Sequence, residues 1–346
     1  MRPGPLRLAR RLQPQVAMPR SRAALLGLIW LALVVGCSGS IAGSSGRGGP
    51  DGAPAGGGSD AGSADAGLDP AVLQAELVAT VDRLQAEASW RTPGSEVAIA
   101  VQHLASGARA SSRGGVLYVS ASSAKAWWVA AALDGAGVAA VEPYADPVFI
   151  NSDNGATGEV IDLVGPDAVN VYLWEVAGMG RETTALTQWN YEKTREAANS
   201  PRKMGSDNYT TADDAVVFLA GLQAGAVLDA EATSALLDWM TRSPRGGTGG
   251  WLAARLPADA QASARHKGGW LPPGCCSSDS YYNTLNEVGL VDTPRGTYAV
   301  AILSHAGDDW YGRQAPFVEL ASCEIYKTVA GAAELDCARD GDPAPP

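Results

Sequence analysis

Only three histidines, His103, His266 and His305, occur in this 346-residue chain, and none has an acid partner that the sequence makes evident. There is no G-x-S-x-G elbow either, so hydrolases built on a serine–histidine–acid triad match poorly. Five cysteines are present without any C-x-x-C spacing, and with so few histidines no zinc site, and no metal or cofactor, is expected. Beyond residue 36 no apolar run is long enough to cross a membrane. Residues 1–36 hold six arginines and no acid; without them the net charge goes from −11 to −17, which argues against nucleic acid as a partner. No internal repeat is visible.

What is present begins with export. After the arginine-rich start, Ala23–Val35 is apolar for 13 residues, short for a bilayer span but suited to the core of a signal peptide. It ends in Val34-Val35-Gly36-Cys37, which resembles a lipoprotein processing site with Cys37 as the lipidated first residue. Met18 is an alternative start. Residues 38–68 are mostly Gly, Ser, Ala and Asp without an aromatic, a composition that cannot bury enough apolar surface to fold. The expected layout is a lipoprotein-type signal peptide over 1–36, a lipidated cysteine and disordered linker over 37–68, a folded domain over 69–340 and a free tail over 341–346. In an oxidising compartment Cys275, Cys276, Cys323 and Cys337 are candidates for two disulfides. A vicinal bond would be strained, so the expected pairings join Cys275 and Cys276 to Cys323 and Cys337.

Within the folded part, Asp69-Pro70 reads as a helix start, and Leu73, Leu77, Val81 and Leu84 follow at helical spacing. Val97–Leu104 and the segment from Arg109 read as strands. Ser122–Leu133 is helical and strongly apolar. Residues 153–240 read as several helices, one opened by Thr210-Thr211 and another over Glu231–Met240. Strand character returns over Ala262–Trp270 and Tyr298–Ser304, and Pro316–Val329 closes the chain as a helix. The expected fold is α+β: an antiparallel sheet of about five strands, N- and C-terminal helices on one face, and a mainly helical subdomain.

Three short motifs carry chemistry. Ser122-Ser123-Ala124-Lys125 is S-x-x-K at a helix start, a spacing that puts the lysine amine on the serine's face, where a desolvated lysine can act as base. The serine also sits among free helix N–H groups able to hold an oxyanion. Ser200-Pro201-Arg202-Lys203 repeats the pattern in a polar stretch and is read as chance. Ser152-Asp153-Asn154 offers a hydroxyl relay and an amide; Ser206-Asp207-Asn208 is a competing copy, set aside because it follows the second S-x-x-K too closely to form a separate wall. Lys267-Gly268-Gly269 lies on an expected strand, placing a positive charge on an edge that a substrate can approach closely. Alternation sends His266 to the face opposite Lys267.

In this order, after an export signal, these motifs resemble those of class A β-lactamases and related penicillin-binding serine transpeptidases. The likeness runs from Asp69 to Val329 and includes Asn208-Tyr209-Thr210-Thr211-Ala212, Trp251–Pro257 and Asn286-Glu287-Val288-Gly289. It implies Ser122 as nucleophile, Lys125 as base, Ser152 as proton shuttle, Asn154, Lys267 and Gly269 as substrate contacts, and the N–H groups of Ser122 and Trp270 as oxyanion hole. It also implies a serine hydrolase of the cell envelope, lipid-anchored at Cys37, facing the periplasm or exterior and monomeric. Its substrates would be β-lactams or peptidoglycan-stem-like molecules, linking it to β-lactam breakdown and antibiotic resistance.

The sequence departs from that family where deacylation needs a glutamate. Counting forward from Gly178-Met179 puts Asn190 at its place; counting back from Thr210-Thr211 reaches Glu196. Glu196 is taken as the expected base, with Asn190 and Glu192 as alternatives. Only 30 residues separate Ser122 from Ser152, fewer than is usual, and Gly268 stands where a hydroxyl is usual. Three functions therefore remain open: a β-lactamase, a D-Ala-D-Ala peptidase or other cell-wall acyl-transfer enzyme, and a non-catalytic binding lipoprotein.

Overall fold

Asp69 accepts the Ala71 N–H at 2.8 Å, and Pro70 takes the first helical position, where its missing N–H leaves no bond unmade. Helix α1 (Pro70–Arg91) then buries Leu73, Leu77, Val81 and Leu84 as one stripe. The computed structural model describes residues 69–272, 283–305 and 310–342. The expected signal segment, Cys37, the linker, Cys275 and Cys276 lie outside them.

In chain order α1 is followed by strands β1 (Glu96–His103), β2 (Arg109–Ser112) and β3 (Tyr118–Val119), and by helices α2 (Lys125–Ala136), α3 (Val138–Ile150), α4 (Asn154–Val164) and α5 (Pro166–Glu175). Then come β4 (Gln188–Tyr191), β5 (Lys193–Glu196), β6 (Tyr209–Thr210), α6 (Ala212–Gln223), α7 (Ala230–Thr241) and α8 (Ala258–Ser263). Strands β7 (Arg265–Leu271), β8 (Thr284–Thr293) and β9 (Gly296–His305) precede the closing helix α9 (Ala315–Ala330).

The main sheet has the order β2-β1-β9-β8-β7 and is antiparallel throughout, as expected. Its two faces separate by residue size. Val97, Ile99 and Val101 of β1, with Tyr298, Val300 and Ile302 of β9, join the core under α1 and α9. The alternate residues Ala98, Ala100, Ala299 and Ala301 face the helical side, where these small side chains let α6 lie against the sheet. Helix α2 is buried at every position from Lys125 to Leu133, which explains its apolar character all round. Trp127 meets Phe218 edge-on and Trp128 meets Trp189 likewise.

Several expectations need correction. Ala262–Trp270 is not one strand: α8 occupies its start, and β7 begins at Arg265. The region read as helical contains the β4–β5 hairpin, whose strands are only four residues each; Gln188–Tyr191 alternates polar and aromatic residues, while Lys193–Glu196 is polar throughout. Cys323 pairs with Cys337 and not with Cys275 or Cys276: α9 ends at Gly331 in the left-handed conformation, and the chain doubles back to bring the two Cα atoms within 5.7 Å. Near the end of the described residues, Arg255 grips the Asp342 carboxylate at 2.5 and 2.7 Å.

Candidate active site

Ser122 lies in a 3-10 turn, Ala121–Ala124, that leads into α2. Ala121 before it has φ +47°, in the left-handed region that favours glycine. The turn is tied down from two sides: Ser123 donates its hydroxyl to Ser120 O at 2.6 Å, and the Asn286 amide on β8 donates to Val119 O and Ser120 O at 2.8 and 3.1 Å. Strand β7 runs directly beside it. A Cβ on Gly269 would stand 2.4 Å from Ser123 N and 2.8 Å from Ser122 N, so only glycine permits the strand to lie on the Ser122 turn.

Lys125 is fully buried and points at the Ser152-Asp153-Asn154 segment. Its Nζ donates to Ser152 O at 2.5 Å, Ser152 Oγ at 3.2 Å and Asn154 Oδ1 at 2.8 Å. Burial pushes this amine well below the usual lysine range; the nearby Lys267 charge lowers it further, and Asp153 opposes both. From the other side Lys267, 2 % exposed, donates to Ser152 Oγ at 3.1 Å and to Gly268 O at 2.8 Å. Burial lowers Lys267 to about 8, against an upward pull from Glu287. One hydroxyl thus receives two lysine amines. Ser152 has φ +52°, which costs an L-residue about 1–2 kcal/mol, and the Lys125 bond to its carbonyl helps hold it there.

Ser122, Ser152 and Asn154 open on a cavity of about 430 Å³. Its walls include the aromatic rings of Trp189, Tyr191 and Trp270 and the amides of Asn151, Gln188, Asn190 and Asn208. Trp189 is fixed tightly: its indole N–H donates to Asn154 O at 3.1 Å, and its ring lies 5.5 Å from Lys125 Nζ.

The structure brings Ser122, Lys125, Ser152, Asn154, Lys267, Gly269 and Trp270 to one place. It does not bring Glu196. On β5, Glu196 stands across from Gln188 at the open end of the hairpin, where it is exposed and ion-paired with Arg202. Glu192 sits at the hairpin turn with φ +63° and is not part of the cavity wall. Asn190, the other alternative, does line the cavity. The Ser206-Asp207-Asn208 copy also lines it, contrary to expectation. Pairing of β6 with β3 carries the chain back beside the nucleophile turn, where Asn208 O accepts Ser120 N–H at 2.8 Å. The Asn208 side chain in turn accepts the N–H groups of Thr187 and Gln188 at 2.7 and 3.2 Å. The second S-x-x-K is not assembled as a site: Ser200 bonds Thr187 at 3.1 Å, while Lys203 pairs with Glu182 at 2.6 Å. His266, sent to the face opposite Lys267, meets the buried Glu287 at 3.0 Å. Asn286 and Asn208 act by holding backbone that is remote in sequence, which no local spacing reveals.

The site thus combines a five-stranded antiparallel sheet flanked by helices with two buried lysines that meet at Ser152 Oγ beside the cavity that Ser122 lines. The model of the β-lactamase enzyme family matches residues 139–329, more than half of the chain, and the chain belongs to that family. The matched stretch includes Ser152, Asn154 and Lys267 and starts beyond Ser122 and Lys125. Among solved structures, a β-lactamase from Xanthomonas campestris pv. campestris is similar at TM-score 0.58 and 18% identity, over 75% of this chain and 99% of that one. A class A β-lactamase from Mycobacterium abscessus gives TM-score 0.56 and 18% identity, over 72% and 98%. The acyl-enzyme complex of a PBP-A mutant with penicillin G gives 0.55 and 21%, over 74% and 96%. No curated protein matches the chain.

Proposed function

We propose that this protein is a serine acyl-transfer enzyme that reacts covalently with β-lactams through Ser122 and hydrolyses the resulting ester slowly. The observation that carries the reading is the convergence of Lys125 Nζ and Lys267 Nζ on Ser152 Oγ, at 3.2 and 3.1 Å, beside the cavity that Ser122 enters. Lys125, whose ammonium form burial disfavours, takes the Ser122 proton through its neutral amine as the hydroxyl oxygen attacks the lactam carbonyl. The N–H groups of Ser122 and Trp270 receive the oxyanion. Ser152 passes a proton to the leaving nitrogen, Asn154 and the edge at Gly269 position the substrate amide, and the Lys267 ammonium attracts the substrate carboxylate.

Slow turnover follows from the hairpin. At the position that faces the acyl ester the cavity wall offers the amides of Gln188 and Asn190, and an amide has no basic pair with which to activate water. The same feature favours a second reading, a peptidase or transpeptidase acting on a D-Ala-D-Ala stem peptide, which shares every acylation step. We further propose that the domain is exported and held to the cell envelope by a lipid on Cys37; loss of membrane fractionation in Cys37→Ala tests this.

The decisive experiment is a time course of intact-protein mass with a simple penicillin, beside Ser122→Ala. A lasting adduct that needs Ser122 supports the proposal. An adduct that clears within seconds indicates a working base, and Asp207 is the one carboxylate among the described wall residues. No adduct, and no hydrolysed drug, refutes the reading.

A further inference from the structure

The β4–β5 hairpin contributes the cavity's amide wall, yet it is short, polar and joined to the main sheet by no ladder. Something else must hold it. Trp189 and Arg195 are direct cross-strand partners, so their side chains share one face, and that face lies against α4. Each is locked to the helix. At the N-terminal end Trp189 Nε1 donates to Asn154 O at 3.1 Å. At the C-terminal end Arg195, whose side chain is 4% exposed, grips Asp162 with Nε at 2.8 Å and a terminal nitrogen at 3.0 Å. Arg195 also reaches back to its own hairpin, donating to Tyr191 O at 3.0 Å and Lys193 O at 3.3 Å. One guanidinium therefore closes the hairpin turn and, together with Lys193, whose amine also pairs with Asp162, fastens it to the helix.

The helix is shaped for this contact. A Cβ on Gly158 would stand 2.6 Å from the Arg195 guanidinium carbon. Glycine inside a helix costs about 1 kcal/mol relative to alanine, and here it leaves the planar group room to lie on the helix backbone. Helix α4 is preceded by Ser152 and starts at Asn154, both of which engage Lys125. The ring next to Lys125 on its other side is Trp189.

We propose that Arg195 is a positioning residue for acylation: its bond to Asp162 fixes the hairpin on α4 and so keeps the Trp189 ring beside Lys125, sealing the amine from water. The inference rests on the reading of Lys125 as the acylation base. Arg195 touches neither substrate nor reacting atoms; its effect passes through Trp189. The charged groups that act on Lys125 are Lys267 from β7 and Asp153 from the cap of α4, and neither contacts Arg195. Asp162 can thus be neutralised without altering the charges around the base.

The test compares wild type with Arg195→Met, Arg195→Lys and Asp162→Asn, using two readouts. One is the pH profile of penicillin acylation by intact mass. The other, independent of activity, is hydrogen exchange of the Trp189 indole N–H followed by NMR. Releasing the clamp lets water reach Lys125, so the acidic limb of the profile should move up by about one pH unit, with acylation at a given pH on that limb falling about tenfold. Trp189 exchange should accelerate in Arg195→Met and Asp162→Asn, and Arg195→Lys should recover part of both effects. A lower melting temperature with an unmoved pH limb and unchanged Trp189 exchange would make Arg195 merely structural and overturn the proposal. If Arg195→Met fails to fold, Asp162→Asn alone decides. Should wild type form no penicillin adduct while Trp189 exchange still responds, the acylation reading fails and the clamp stands; if neither responds, both fail.

Discussion

Lys267 brings a positive charge into a site where it is 2 % exposed, and burial lowers its ammonium from 10.5 to about 8. A difference of roughly 2.5 pH units corresponds to about 3 kcal/mol of unfavourable charge burial at neutral pH. The unfolded chain keeps this proton up to about pH 10.5, whereas the folded protein releases it near 8. Between these values the unfolded state binds more protons, so stability rises with pH. The cost is fully present below pH 8 and gone above 10.5. Replacing Lys267 by Met removes that dependence. Urea unfolding with Lys267 and with Lys267→Met at pH 7, 8, 9 and 10 should give curves that converge from below, the Lys267 protein gaining about 1.4 kcal/mol per pH unit relative to the variant above pH 8. The Lys267 charge also lowers Lys125, so both curves are taken in a Lys125→Met background, where only Lys267 differs. Lost bonds to Ser152 and Gly268 add only a constant offset. In parallel, KM for carboxylate-bearing β-lactams should rise in wild type as pH passes 8, since the attracting charge disappears. Parallel unfolding curves would refute the argument that the Lys267 charge is carried at the expense of stability.

Asn190→Glu should shorten the lifetime of the penicillin adduct at least about tenfold, because it sets a carboxylate on the cavity wall where general-base catalysis is worth about 10²–10⁴; timed mass spectra after removal of free drug measure this. Gly268→Thr should fail to restore carboxylate recognition and should lower stability by about 1–3 kcal/mol in thermal unfolding. The added Cβ would stand 2.7 Å from Gly249 O and 2.9 Å from Gly249 Cα, both backbone atoms that cannot swing aside.

The parts of the site legible in the sequence are those whose geometry is local. S-x-x-K is one helical turn, so Ser122 and Lys125 declare their proximity by spacing alone. Asp69, Pro70 and Thr211 mark helix starts because a cap acts on N–H groups two or three residues ahead. Strand alternation likewise separates His266 from Lys267 without further knowledge. Failures begin where a residue's neighbours are set by pairing across the chain. Glu196 was reached by counting back from Thr210, yet counting cannot detect a hairpin in strands as short as Gln188–Tyr191 and Lys193–Glu196. The register sets Arg195 across from Trp189, facing α4, and Glu196 across from Gln188, where its carboxylate is exposed and paired with Arg202. Distance along the chain misled in the same way for Asp207 and Asn208, because the β3–β6 pairing cancels it.

The disulfide shows the complementary error. Counting cysteines favoured long-range links to Cys275 and Cys276, whereas Gly331 just beyond a helix end signals a reversal that makes Cys323 and Cys337 neighbours. The hairpin error matters most for chemistry, since the register that sets Arg195 across from Trp189 and against α4 sets Glu196 across from Gln188 at the open end of the hairpin, where it pairs with Arg202. In this chain Arg195 anchors the hairpin to α4, and the hairpin residues that line the cavity, Gln188, Trp189, Asn190 and Tyr191, include no carboxylate. On the proposed reading, slow deacylation and a tightly held Trp189 both trace to this hairpin. An Asn190→Glu variant that gains hydrolysis while Trp189 keeps its exchange protection would separate the two roles.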